Sequence, residues 1–226
     1  MFGRTAFDPA AQRRFLPFVV FVLLLALRGL LDGVAPQGVD LRWLYALQVG
    51  LPGLLMAIWW RDYVELKSLP RWRDMLLAVA VGLAVCWLWM RLDEPWMRLG
   101  TPVAGFRPIG PDGEPLWALI ALRWLGTALV VPLLEELFWR SFLMRWIAGH
   151  DFLAVDARRV GVQAVVLSTL VFTLAHTEWL AAACAGLAYA WLYRRTGSLW
   201  TAVIAHAVTN GVLGLWIVVY GHWMLW

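Results

Sequence analysis

The chain is short of cysteine and short of charge. Only Cys86 and Cys184 occur in 226 residues, and both lie inside apolar stretches. That excludes a disulfide framework and zinc-finger spacing, and both read as small buried hydrophobes. Charged residues make up 15% of the chain against 62% hydrophobic, where soluble domains run near a quarter charged and half apolar. No internal repeat or low-complexity segment occurs. The formal net charge of +4 is small and sorted by loop, so nucleic acid is not an expected partner. What the chain has in quantity is Trp, 17 residues, whose ring favours the membrane–water boundary. It also has apolar runs long enough to cross the ~30 Å hydrocarbon layer.

Those runs are Phe15–Leu31, Trp43–Trp60, Asp74–Leu92, Leu116 to about Ile147, Val160–His176, Leu180–Tyr193 and Leu199–Tyr220. The first follows Arg4, Arg13 and Arg14 like a signal peptide, but it is long and lacks a small-x-small cleavage site, so it reads as a retained span. Basic residues gather in alternate loops: Arg61, Lys67, Arg71 and Arg73, then Arg145, Arg158 and Arg159, then Arg194 and Arg195. Because such loops are cytoplasmic, the pattern predicts an all-α polytopic bundle of seven spans with its N-terminus inside. A break of the fourth run at Pro132 would make eight. Residues 1–115 form a three-span region ending in the Pro- and Gly-rich loop Asp93–Pro115. Residues 116–226 form the core spans, and the whole is one integral membrane domain. Its Ala-, Leu-, Arg- and Trp-rich composition points to a bacterial cytoplasmic membrane.

An ionisable side chain in a membrane span is costly and therefore a functional candidate. In Leu133-Leu134-Glu135-Glu136-Leu137-Phe138-Trp139-Arg140, Glu136 and Arg140 are four apart in the favourable order for a helical ion pair. Glu135, about a quarter-turn away, has no built-in partner, and such a carboxyl in an apolar site suits a general base. The competing reading pairs both glutamates with arginines, Arg123 or Arg145 included. Further on, Phe172 and His176 share a helical face, so the ring can wall a site that the imidazole enters. In the last run His206 and Asn210 project together, two convergent donors of the kind an oxyanion needs. The bland alternative for that pair is a polar clasp between helices.

The three motifs, Glu-Glu-x-x-x-Arg, Phe-x-x-x-His and His-x-x-x-Asn, fall in this order within residues 116–215. Here the chain resembles the CPBP intramembrane proteases, the group related to the type II CAAX prenyl endopeptidases (Rce1-like, or ABI). It also resembles their bacterial exosortase-associated branch. The resemblance implies a glutamate-dependent endopeptidase, without a cofactor, cutting near the C-terminus of a membrane-associated protein or peptide. Glu135 with His176 would deprotonate the attacking water. His206 and Asn210 would hold the oxyanion, while Glu136, Arg140 and Phe172 would support the site. The family also includes proteins proposed as immunity factors or scaffolds.

Two rival readings stand beside it. Glu135 or Glu136 with His176 and His206 could hold Zn²⁺, although no His-Glu-x-x-His element occurs and the donors lie on separate spans. A non-enzymatic scaffold or immunity protein is the other. A simple seven-span topology also raises a difficulty of depth. It places Glu135 and His206 toward the cytoplasmic side and His176 toward the opposite one. Either Pro132 resets the fourth run, or the fifth helix starts deep after an interfacial segment at Ala148–Arg159. The second is the expectation.

Overall fold

The computed structural model describes residues 8–32, 34, 36, 38–100 and 105–226; Arg4, one of the basic markers above, lies outside them. Apart from short 3-10 turns, the described residues form seven helices: α1 (Pro9–Leu31), α2 (Leu44–Ile58), α3 (Trp72–Arg91), α4 (Trp117–Ala148), α5 (Val162–Leu174), α6 (Trp179–Thr196) and α7 (Leu199–Tyr220). An isolated bridge between Ile109 and Pro115 is the one strand-like pairing among the described residues. Local chemistry sets several ends. The Asp8 carboxylate accepts from the Ala10 N–H at 2.7 Å, and Pro9 begins α1 where a missing N–H costs nothing. Gly197 and Gly221 end α6 and α7 at φ 72° and 69°, a left-handed turn that suits glycine.

Helices α1, α3, α4, α7 and the segment Leu41–Ile58 that contains α2 are long and apolar enough to cross a membrane. The seven expected runs therefore all become helices, but two differ from the rest. Helix α5 has 13 residues, about 20 Å of rise, which falls short of the hydrocarbon thickness. Helix α6 ends in Arg194 and Arg195 and does not meet the same criterion. The solvent rule of a soluble protein is reversed. Leu23, Leu30, Leu76 and Val219 are exposed, while Gln48, Glu136, Arg140, His206 and Thr209 are buried. This is the distribution of an integral membrane protein, whose outer surface faces lipid and whose polar groups must be satisfied inside.

Two glycines set how closely the helices pack. A Cβ on Gly82 would stand 2.4 Å from the Ala205 carbonyl oxygen, and one on Gly186 would stand 2.8 Å from Thr169 Cγ2. Small residues at such crossings let backbones approach in the absence of a hydrophobic drive between helices. The largest apolar cluster joins Met56, Ala78 and Val85 to Leu134, Phe172, Tyr189 and Leu199, so both halves of the chain share one core.

Pro132 does not split α4, which stays continuous from Trp117 to Ala148; the eighth span is not formed. The helix instead widens into π geometry at Gly126–Val130 and again at Leu137–Met144, on either side of the two glutamates. The Val131 N–H donates to Gly126 O, five residues back. The same pattern would pair Thr127 O with the Pro132 nitrogen, which has no hydrogen. A proline is thus tolerated inside a span because a π turn and an outside donor absorb the lost bond.

At the end of the bundle where α1 begins, Arg14 is fully buried and binds Glu65 through two nitrogens at 2.8 and 2.6 Å. Arg145 and Ser141 of α4 bind the same carboxylate. Arg145 is therefore committed to Glu65 and not to Glu135 or Glu136.

Candidate active site

Three elements carry the site. Glu136, with no exposed surface, accepts from Arg140 Nη1 at 3.1 Å on its Oε1, as the spacing predicts. Arg140 is held in turn by the Gly186 carbonyl at 3.2 Å and by the Phe172 and Tyr189 rings, 4.6 and 5.5 Å from its guanidinium carbon. The same Glu136 oxygen lies 2.9 Å from His206 Nδ1. With Nδ1–H directed at a carboxylate, Nε2 is the nitrogen left for the cavity. Tyr189 stacks on the imidazole at 5.0 Å, and its hydroxyl donates to Thr209 at 2.8 Å. The ring of His206 is therefore fixed in both tilt and rotation.

Glu135 is different. It is 8% exposed, and no described residue hydrogen-bonds or ion-pairs with it, whereas Glu136 leaves only its Oε2 without a partner. The two adjacent glutamates are sorted as helical spacing predicts, one tied and one free. His176 lies just beyond α5, whose C-cap is Ala175, and so is not a helical residue as expected. A final turn keeps it beside Phe172: His176 Nδ1 is 2.7 Å from the Phe172 carbonyl and the rings are 4.4 Å apart. A carbonyl only accepts, so Nδ1 carries the hydrogen and Nε2 presents a lone pair. Asn210 is oriented by donating Nδ2–H to Thr127 O at 3.0 Å, the carbonyl that Pro132 leaves unserved. Trp124 Nε1 donates to Gly211 O beside it, at 2.9 Å, closing α4 onto α7.

Glu135, His176, His206 and Asn210 line one cavity of ≈ 200 Å³. The difficulty of depth dissolves on counting from helix ends. Glu135 lies thirteen residues before the end of α4, and His176 fourteen residues after the start of α5. These ends lie together, so both groups stand about 20 Å up from one end of the bundle. Neither a break at Pro132 nor a deep start for α5 is needed; α4 simply overruns. Phe172 is 1% exposed and forms part of the cavity wall. Among the described residues, no group of three His, Cys, Asp or Glu side chains is arranged to hold a metal ion.

Sequence reading missed Tyr189, which clamps His206, and Trp89, whose ring meets His176 edge-on at 6.0 Å. Both come from runs that look like ordinary span residues, and no local spacing marks them.

A helical membrane bundle with a free carboxylate, two oriented imidazoles and an amide in one buried cavity belongs to the class of polytopic proteins with an intramembrane polar site. Residues 117–212 match the family model of the type II CAAX prenyl endopeptidases, Rce1-like. The match covers less than half of the chain; it makes residues 117–212 similar to that family and indicates a protease of the CAAX type. No curated protein and no solved structure matches the chain.

Proposed function

We propose that the protein is a glutamate-dependent endopeptidase that cuts a membrane-associated protein or peptide near its C-terminus. The observation that carries this reading is the division of labour between the glutamates: Glu136 is committed to Arg140 and His206, while Glu135 faces the shared cavity uncommitted. Glu135 takes a proton from water as that water attacks the scissile carbonyl, and His176 Nε2 holds the water through a second hydrogen bond. Nδ2 of Asn210 keeps one N–H beyond its bond to Thr127, and this donates to the oxyanion. His206 donates through Nε2 when both ring nitrogens are protonated, a cation that the Glu136 carboxylate is placed to hold. The proton on Glu135 then passes to the leaving amine.

A zinc mechanism with the same side chains is less well supported, because Glu135 or Glu136, His176 and His206 are not arranged as a group that could hold a metal ion. The protein is further proposed to sit in a bacterial cytoplasmic membrane with its N-terminus inside. Comparative peptidomics of membranes with wild-type protein and Glu135→Gln tests the function. A product that disappears with the substitution and persists under metal chelation supports it. Identical peptide profiles would reject it.

A further inference from the structure

Arg123 lies on α4 twelve residues before Glu135, and the stripe Arg123, Thr127, Val131, Glu135 runs along one wall of the cavity at four-residue steps. No carboxylate among the described residues pairs with it, and its Nε is buried without a hydrogen-bond partner. Its guanidinium carbon is 4.5 Å from the Tyr45 ring and 5.1 Å from the Phe106 ring. The guanidinium carbon of Arg28 lies 5.3 Å from the same Phe106 ring. A cation that cannot shed its proton, placed in an apolar span beside another cation, is expensive unless an anion completes it. Aromatic rings cover guanidinium faces, but a bidentate acceptor binds at the edge. Arg123 also stands where the catalytic cavity meets a wider one of ≈ 700 Å³, lined in part by Arg28, Asp32 and Glu178.

We infer that Arg123 is the anchor for the substrate's terminal α-carboxylate. The inference rests on the protease reading and deepens it by naming what the enzyme measures from. Twelve helical residues rise about 18 Å, which an extended chain covers in about five residues. An anchored carboxylate thus sets the cut about five residues from the end of the chain. Tyr45 holds Arg123 in place, and it fits because position 126 is glycine: a Cβ there would stand 2.5 Å from the Tyr45 hydroxyl oxygen.

The test uses the full-length protein in lipid nanodiscs and a pool of randomised decapeptides made once as free acids and once as C-terminal amides. Cleavage is read by mass spectrometry, and binding is read separately on Glu135→Gln protein. Wild type should cleave the acids roughly ten- to a hundredfold faster than the amides at low concentration, the range of a hydrogen bond to a charged group. The cuts should fall about five residues from the terminus. In Arg123→Gln the acid-to-amide ratio should fall toward one, and Arg123→Lys should restore part of it. Equal cleavage of acids and amides by wild type would overturn the anchor without recourse to any variant. A preference that survives in Arg123→Gln would overturn it too. If nothing is cleaved but acids bind selectively, the protease reading fails and the anchor stands. If acids are neither cleaved nor bound in preference, the anchor is wrong.

Discussion

Glu135 and Glu136 are chemically identical neighbours with opposite energetic roles. Glu136 is a buried anion whose Oε1 faces Arg140 and His206. Removing its charge leaves Arg140 buried at 3% exposure without its anion, a change that costs about 3–5 kcal/mol in buried pairs. Glu135 has no such partner, and replacing an unpaired buried carboxylate by its amide relieves desolvation. Glu135→Gln is therefore expected to abolish cleavage while leaving the unfolding temperature unchanged or higher. Glu136→Gln is expected to lose both activity and thermal stability. Scanning fluorimetry of the two purified variants separates the roles, and equal destabilisation by both would refute the assignment. The pairing of Glu136 with Arg140 was legible from four-residue spacing alone. The bond from Glu136 to His206 was not, because it joins residues seventy positions apart.

At the scale of elements, the hold on α4 comes from an unexpected quarter. Arg14 counts in the sequence as one more basic marker of a cytoplasmic end, yet it is fully buried against Glu65, which also receives Ser141 and Arg145. Glu65 thereby ties α1 and the loop after α2 to the end of α4. Burial pushes the Glu65 carboxyl up from its ordinary 4.5, but hydrogen bonds and charge from Arg14, with Arg145 and Ser141, outweigh it and hold the group lower. A depressed folded value means the stabilisation is complete above the unfolded value and is lost as pH falls through the folded one. Wild type should thus exceed Glu65→Gln in unfolding temperature at neutral pH. The gap should close only as pH drops below about 4.5. A gap that stays constant into acid would show that the ionised carboxylate is not what holds these elements. Spacing revealed none of this, since a loop glutamate seeks its partners through tertiary packing. Hydropathy did locate α4, but it left a break at Pro132 open as an alternative because periodicity carries no sign of π turns, nor of Asn210 serving the Thr127 carbonyl.

For the molecule as a whole, the site's position and the charge distribution together imply a side. Arg61, Lys67, Arg71, Arg73, Arg158, Arg159, Arg194 and Arg195 cluster where α1 begins and α4 ends, and the rule that basic loops stay in the cytoplasm predicts this end to lie inside. The cavity is walled at its other end by Trp89 near the close of α3, Glu178 just before α6, and Trp226. These belong to the opposite end, where Arg91, Arg98 and Arg107 are set among Asp93, Glu94, Asp112 and Glu114. If the N-terminus is inside, the cavity opens away from the cytoplasm, and the substrate tail reaches Arg123 from the outer surface. A single cysteine at Glu178→Cys, with Cys86 and Cys184 replaced by serine, should then react with a membrane-impermeant thiol reagent in intact cells. Arg159→Cys in the same background should react only after the membrane is opened. The reverse pattern would turn the bundle over and give the enzyme cytoplasmic tails to cut, while leaving every distance within the site as it is. Sidedness is thus a property that the site cannot reveal by itself, because helix packing is indifferent to which leaflet lies above it. The loop charges decide it, and accessible cysteines at the two ends read that decision directly.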